Sequence, residues 1–184
     1  GFVNVLESPE CDPEDLQNEV IQLLSAKKDF EHSYLPMLIK NAACRFFYDA
    51  TCLRKARPET DHLSMLVNVS RFTDHHLRIG ALMSEFVERL YKLIRSSSME
   101  RTTDPWLLRI LQMGKDNCSE FLSLSEFWLA LEETLAISQT YDLHQKSKVD
   151  LTYPKGLQRN SLLVGGLTLS RGFTVEGLIT SAFI

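Results

Sequence analysis

The sequence lacks three features that would place it in a specialised class of protein. It has no run of about 18 apolar residues, no basic and then apolar segment at its start, and only four cysteines, none of them in a C-x-x-C pair. These absences argue against a membrane span, a secretory signal peptide and a cysteine-based metal site. We therefore expect a reduced, cytoplasmic protein that does not contact membranes.

Glycine and proline are also scarce, with eight and six residues in a chain of 184. Together with 44% hydrophobic and 24% charged residues, this composition excludes collagen-like and disordered chains and is typical of a globular domain. The 20 basic and 24 acidic residues give a net charge of −4, which argues against a surface that is basic throughout. A local basic patch is compatible with this balance.

The chain lacks the motifs of a complete ATPase and of common nucleases. No glycine begins a GxxxxGK[S/T] phosphate-binding loop, and no Asp-Glu dipeptide is present to bind magnesium. No acidic residue is followed two positions later by lysine, so the (D/E)xK core of restriction-type nucleases is missing. The pair His75 and His76 has no partners at metal-ligand spacing, and we expect it to be exposed at a helix start.

The first part of the chain is predicted to be helical. Residues 1–33 form an acidic lead-in, whose helix is predicted to begin at Pro13. A second, amphipathic helix is predicted over residues 34–56 from its three-four spacing of apolar residues. Its end carries three cations, Arg54, Lys55 and Arg57. They either complement the negative end of the helix dipole or form a patch that contacts phosphate.

An α/β domain is predicted over residues 34–184. The short apolar run at residues 64–69 predicts a strand, and a polar turn leads from it into a long amphipathic helix, with Ser70, Thr73 or Asp74 as cap. A strand that enters a helix through a polar turn is the first half of a βαβ unit, so we expect a parallel sheet.

The middle of the chain, about residues 96–149, is predicted to be a helical insertion. One helix is predicted after Asp104-Pro105, and another begins at a capping box of Ser123 and Glu126. Residues 135–138 are predicted as a further strand. Residues 141–160 are polar and slightly basic, and we expect a mobile connection there.

The last segment combines two predicted strands, residues 161–166 and 178–184, with a glycine-containing loop between them. Parallel sheets place ligand sites beyond the carboxyl ends of their strands, where we expect this loop to lie. Gly166 and Gly172 allow the backbone to approach a ligand closely, and Arg171 supplies a guanidinium suited to phosphate. The loop is therefore a candidate phosphate-binding site.

Two stretches carry a resemblance to a known family: SMLVNVSRFT at residues 64–73 and LVGGLTLSRGFTVEGL at residues 163–178. They resemble the hallmark segments of the Z1 domain family, which is described as a candidate endonuclease domain and occurs in bacterial proteins with superfamily-two helicase motors. The segment LPMLIKNAACRFF, residues 35–47, resembles that family as well. The resemblance spans about residues 35–95 and 150–184.

The resemblance implies a RecA-like fold, that of the second helicase motor domain, with the chain truncated before its final motif. It implies that Ser70, Arg71 and Thr73 contact the nucleic-acid backbone. In the later loop it implies contacts with nucleotide or phosphate by five residues: Gly166, Ser170, Arg171, Gly172 and Thr174.

For function, the resemblance implies part of an ATP-dependent DNA-processing protein of bacterial restriction or phage defence. No cofactor is expected in this chain alone, whereas ATP and Mg²⁺ are implied for the intact protein. The implied partners are DNA, the other motor half of the same polypeptide, and restriction or defence proteins. If this interpretation holds, the strand that begins near Ser161 is central in the sheet, and Ser70 and Arg171 lie at the same carboxyl edge.

Two alternatives stay open. One is a metal-dependent endonuclease whose carboxylate site includes Glu176, Asp150 or Asp74. The other is a non-catalytic module in which the long helices bind a partner protein.

Overall fold

The computed structural model describes residues 13–25, 33–69, 72–114, 122–143, 151–166 and 174–183. The elements in these residues are, in chain order, α1 Pro13–Ser25, α2 Met37–Ala56, β1 His62–Asn68, α3 Thr73–Ile94, α4 Ser98–Thr103, α5 Pro105–Gln112, α6 Leu124–Ala136, β2 Ser138–Leu143, β3 Arg159–Gly165 and β4 Leu178–Phe183. None of the described helices is both long and apolar enough to cross a membrane.

The four strands form one sheet in the order β2-β3-β1-β4, and every pair is parallel. The prediction of a mixed α/β domain with a parallel sheet is therefore confirmed. Strand β3 is central, as expected for the strand near Ser161. We call the end of the sheet where β1 and β3 finish the carboxyl edge, and the end where they begin the amino edge.

One face of the sheet packs against the helices. Alternate residues of β1, Leu63, Met65 and Val67, lie with Leu162 and Val164 of β3 in a single buried core with side chains of α2, α3, α5 and α6. Helix α2 packs over β4 and β1, and α3 packs over β2 and β3. Because side chains alternate along a strand, the even-numbered residues of β1 point to the opposite face.

Helix α2 obtains its N-terminal cap from another helix. It follows Pro36, whose side chain cannot cap, and the Glu19 carboxylate of α1 accepts instead from the backbone N–H groups of Met37 (2.9 Å) and Leu38 (3.1 Å). This contact joins the acidic lead-in to the rest of the fold. The carboxylate also complements the positive end of the α2 helix dipole.

Arg54, near the end of α2, is structural. Its guanidinium donates to Asn160 Oδ1 on β3 (2.7 Å from Nη2) and to the carbonyls of Thr60 (2.7 Å) and Arg159 (3.0 Å). Burial lowers the pKa of Arg54, and the charge of Asp61 partly opposes that shift. We call this the Arg54–Asn160 network; it uses Arg54 to join α2 to the amino edge rather than to contact phosphate.

Two helix starts in the middle of the chain are confirmed. Asp104 accepts from the N–H groups of Trp106 (2.9 Å) and Leu107 (3.0 Å) at the start of α5, and Ser123 and Glu126 form the capping box of α6. The strand predicted at residues 135–138 is wrong. Helix α6 continues to Ala136 because Leu135 extends its buried face, and β2 begins only at Ser138.

The predicted insertion and mobile connection also differ from the structure. Strand β2 lies within residues 96–149, so this region is not purely helical, and α6 packs against both α2 and α3 in the core. Residues 151–158 are held at the amino edge, where Gly156 N–H donates to Asp61 Oδ2 (2.9 Å) and Gln158 Nε2 donates to the Pro58 carbonyl (2.7 Å). These described residues are therefore anchored rather than mobile.

Candidate functional site

The carboxyl edge brings together the ends of β1 and β3. Asn68, the last residue of β1, lies beside Gly165, the last residue of β3, and the Val69 N–H donates to the Gly165 carbonyl (3.2 Å). Gly166 is buried directly after it. The two segments that carry the family resemblance thus leave the sheet at neighbouring points of one edge.

Five predicted site residues lie outside the described residues: Ser70, Arg71, Ser170, Arg171 and Gly172. The described residues next to them are Val69 and Phe72 in the first segment and Gly166 in the second. Their assignment to nucleic acid or nucleotide stays a prediction.

The first turn of α3 stands next to this edge. Thr73 and Asp74 are exposed and are already the first two residues of the helix, one position or more past its cap, so the prediction that either of them caps the helix is wrong. The cap position belongs to Phe72, whose apolar side chain makes no capping hydrogen bond. The start of this 22-residue helix presents backbone N–H groups and the positive end of a long helix dipole.

His75 and His76 are buried, with 2% and 3% of their surface exposed, so the prediction of an exposed pair is wrong. The reason is helical spacing, because both residues lie three or four positions before Ile79, which is fully buried on the core face of α3. The His75 ring also packs edge-to-face on Phe72, with 5.3 Å between ring centroids. Both imidazoles thus help to fix the first turn of α3.

The end of the predicted phosphate loop lies at the opposite, amino edge. Leu178 starts β4 beside Ser64, whose Oγ donates to the Glu176 carbonyl (2.7 Å) and whose N–H donates to the Gly177 carbonyl (2.7 Å). The expectation that the whole loop lies beyond the carboxyl ends is therefore wrong for Glu176 and Gly177. Thr174 is exposed and stands four residues before β4.

Gly177 is required at this point by both conformation and space. Its φ is +64°, in the left-handed region that glycine adopts without strain, and a Cβ would overlap the His62 carbonyl. The backbone that leads into β4 therefore lies directly against His62, the first residue of β1.

This placement separates the predicted carboxylates. Asp74 follows the carboxyl edge and Glu176 lies at the amino edge, and β1 between them is about 20 Å long. A single metal site cannot include both, and Asp150 lies outside the described residues. Within the described ranges, no group of three or more His, Cys, Asp or Glu side chains could hold a metal ion.

The family model of the Z1 domain matches residues 39–184, which are most of the chain. The chain belongs to the Z1 domain family. The matched region begins in α2 and includes the whole sheet of this Z1 domain. No curated protein and no solved structure is significantly similar to the chain.

Sequence reasoning missed a polar group at the amino edge of the Z1 domain: His62, Tyr153 and Arg159. Tyr153 lies in the connection that was expected to be mobile, and its ring packs edge-to-face on that of His62 at 5.2 Å. No local pattern could reveal this group, because it depends on the pairing of β1 with β3 and on the folded course of residues 151–158.

Proposed function

We propose that this Z1 domain supplies the phosphate-contacting edge of an ATP-dependent DNA-processing protein of bacterial restriction or phage defence. One observation carries the proposal: β1 and β3 are adjacent, parallel and in register, with Asn68 beside Gly165. The two segments that the resemblance assigns to nucleic acid and to nucleotide therefore start at neighbouring points. A RecA-like identity of the sheet, that of a second helicase motor domain, is part of the proposal.

The chemistry of the described part of this edge suits phosphate. Gly165 and Gly166 are buried where β3 ends, and because they carry no side chains, no Cβ would separate their backbone from a ligand at this edge. Helix α3 directs its positive end to the same region, which favours an anion. Thr73 is exposed in the first turn and can donate its hydroxyl to a phosphate oxygen.

Within the proposal, Ser70, Arg71 and Thr73 contact the DNA backbone. Arg171 pairs with a phosphate of nucleotide or DNA, and the second loop adds contacts from Gly166, Ser170 and Gly172. Thr174 is the member of the predicted set that the structure supports least, since it lies on the approach to the amino edge.

Hydrolysis of ATP needs a second motor domain, because the chain has no GxxxxGK[S/T] loop and phosphoryl transfer depends on several positioned elements. Within the proposal, ATP and Mg²⁺ bind in the intact protein, as the family resemblance implies. We expect the isolated chain to show no ATP hydrolysis.

DNA binding at several salt concentrations tests the proposal. We expect Arg71→Ala and Arg171→Ala each to lose one phosphate contact. Each loss reduces the magnitude of the slope of log affinity against log salt concentration by about 1. Arg57→Ala is the matched control, since Arg57 is exposed at the end of α2, away from the carboxyl edge. Fluorescence anisotropy with labelled DNA measures the slopes; equal slopes for all three variants and the unchanged protein would overturn the proposal.

A further inference from the structure

An exposed aromatic ring stands at the carboxyl edge of this Z1 domain. Phe183 is the last residue of β4, and its register neighbour on β1 is Asn68, which in turn lies beside Gly165 of β3. The three residues therefore form a row across adjacent strands. Since neighbouring strands lie about 4.8 Å apart, the Cα atoms at the two ends of this row are about 10 Å apart.

The side chain of Phe183 lies on the sheet face opposite the helices. Thr180 and Ala182 of β4 are buried, and their register neighbours Met65 and Val67 belong to the helix-covered core. Because side chains alternate along a strand, Phe183 points to the other face. There, 59% of its surface is exposed.

The Phe183 ring differs in its surroundings from the other phenylalanines that the structure describes, which are buried or half-buried. Phe72, which also stands near this edge, is half-buried and packs on the His75 ring. Among the described residues, Phe183 packs on no other aromatic ring. Single apolar side chains are common on protein surfaces, so it is the position of Phe183 beside the carboxyl edge, and not its exposure alone, that indicates a ligand.

The chemistry of this row suits a nucleobase. An aromatic ring offers a flat apolar face on which a base can stack, and proteins hold single-stranded nucleic acid by combining such stacking with cationic contacts to the backbone. Asn68 is half-exposed on the same sheet face, and its amide can both donate and accept at the edge of a base. In a duplex the bases are already stacked and paired, so a single strand yields a base to the ring at the lowest cost.

The strand order favours DNA over a bound nucleotide as the source of this base. Phe183 is next to β1, which leads into the segment that the proposed function assigns to the DNA backbone, Ser70, Arg71 and Thr73. Strand β3, which leads into the segment assigned to nucleotide, lies one strand farther from Phe183.

We propose that Phe183 stacks on an unpaired base of single-stranded DNA whose phosphates lie along the carboxyl edge. The proposal rests on the proposed function, because it needs DNA at this edge, and it adds the substrate class, a single strand rather than a duplex. Stacking involves no phosphate contact, so its loss lowers the affinity by the same factor at every salt concentration. Loss of a phosphate contact instead changes the slope of log affinity against log salt concentration.

Fluorescence anisotropy with a labelled single strand and with the matching duplex, each at several salt concentrations, tests the proposal. We expect Phe183→Ala to weaken single-strand binding about tenfold with an unchanged salt slope, and to change duplex binding by less than about twofold. Leu178→Ala is the matched control, because Leu178 is exposed (45%) at the amino end of the same strand and should not affect binding. Phe183→Tyr keeps the ring and should bind like the unchanged chain.

A single strand with abasic sites gives a second readout, because it keeps every phosphate and lacks the bases. We expect the unchanged chain to bind this strand about tenfold more weakly than the normal strand, and Phe183→Ala to bind the two strands equally. Equal binding of both strands by the unchanged chain, unchanged single-strand binding by Phe183→Ala, or an equal defect in Leu178→Ala would each overturn the proposal.

Titration of the same variants with ATP separates the two sources of a base. A defect of Phe183→Ala in ATP binding, with unchanged DNA binding, would assign the ring to a nucleotide and overturn the proposal. This inference and the proposed function can also fail separately. Altered salt slopes in Arg71→Ala and Arg171→Ala without a stacking effect would refute the stacking alone, whereas a stacking effect with unaltered slopes would refute the phosphate assignment alone.

Discussion

The two edges of the sheet in this Z1 domain are built in different ways. At the amino edge, side chains form hydrogen bonds across long sequence distances: Arg54 donates to Asn160 Oδ1 and to the Arg159 carbonyl, and Ser64 donates to the Glu176 carbonyl. At the carboxyl edge, the described contact between β1 and β3 is made by backbone, through Val69 and Gly165. The comparison teaches that side-chain hydrogen bonds hold the described part of the amino edge together, whereas the described part of the carboxyl edge ends in two glycines and the start of a helix.

The largest expected effect on stability comes from a substitution at Gly177, at the amino edge. Gly177→Ala forces a Cβ into the His62 carbonyl at a positive φ, and we expect a loss of about 2–4 kcal/mol in the free energy of unfolding. Gly156→Ala is the matched control, since Gly156 also has a positive φ (79°) but nothing within 4 Å of an added Cβ. Urea denaturation should show about 1 kcal/mol for this control; equal losses would contradict the locking role of Gly177.

The next effect concerns Arg54. Arg54→Ala leaves Asn160 Oδ1 and two backbone carbonyls without their donor, and we expect a loss of about 2–3 kcal/mol. The neighbouring Lys55→Ala removes only an exposed ion pair with Glu133 and should cost at most about 0.5 kcal/mol. Thermal and urea unfolding measure both variants. If Arg54→Ala were as stable as Lys55→Ala, the amino edge would not be held by this network.

The smallest expected effects on stability come from removing one hydroxyl group at each edge of the sheet, which compares the two edges directly. Ser64→Ala removes a buried donor to the Glu176 carbonyl and should cost about 1 kcal/mol. Thr73→Ala removes an exposed hydroxyl and should change stability by less than about 0.5 kcal/mol. For DNA affinity we expect the reverse order, with a two- to fivefold loss confined to Thr73→Ala. A DNA defect in Ser64→Ala alone would refute the assignment of the edges.

The elements that could be predicted from sequence are those with strong local signals. Strands β1, β3 and β4 are apolar runs, α2 and α3 show three-four spacing, and side chains at positions 104 and 123 mark two helix starts. Strand β2 escaped prediction because it is a polar edge strand, and Leu135 was assigned to a strand although it continues the buried face of α6.

Features that depend on tertiary pairing could not be predicted. The amino-edge position of Glu176 follows from the pairing of β4 with Ser64, which lies 112 positions away from Glu176 in the chain. The structural use of Arg54 likewise depends on Asn160, 106 positions away. Of the candidate site, sequence reasoning supplied the two segments that leave β1 and β3, whereas only the structure shows that these strands end side by side.

The most direct test of the two-edge account is a DNA titration of the isotope-labelled chain followed through its backbone amide signals by NMR. The account predicts that the signals of Gly165, Gly166 and Thr73 shift progressively with DNA, while those of Ser64 and Gly177 stay in place. Shifts confined to Ser64, Gly177 and their neighbours, with the carboxyl edge unchanged, would contradict it.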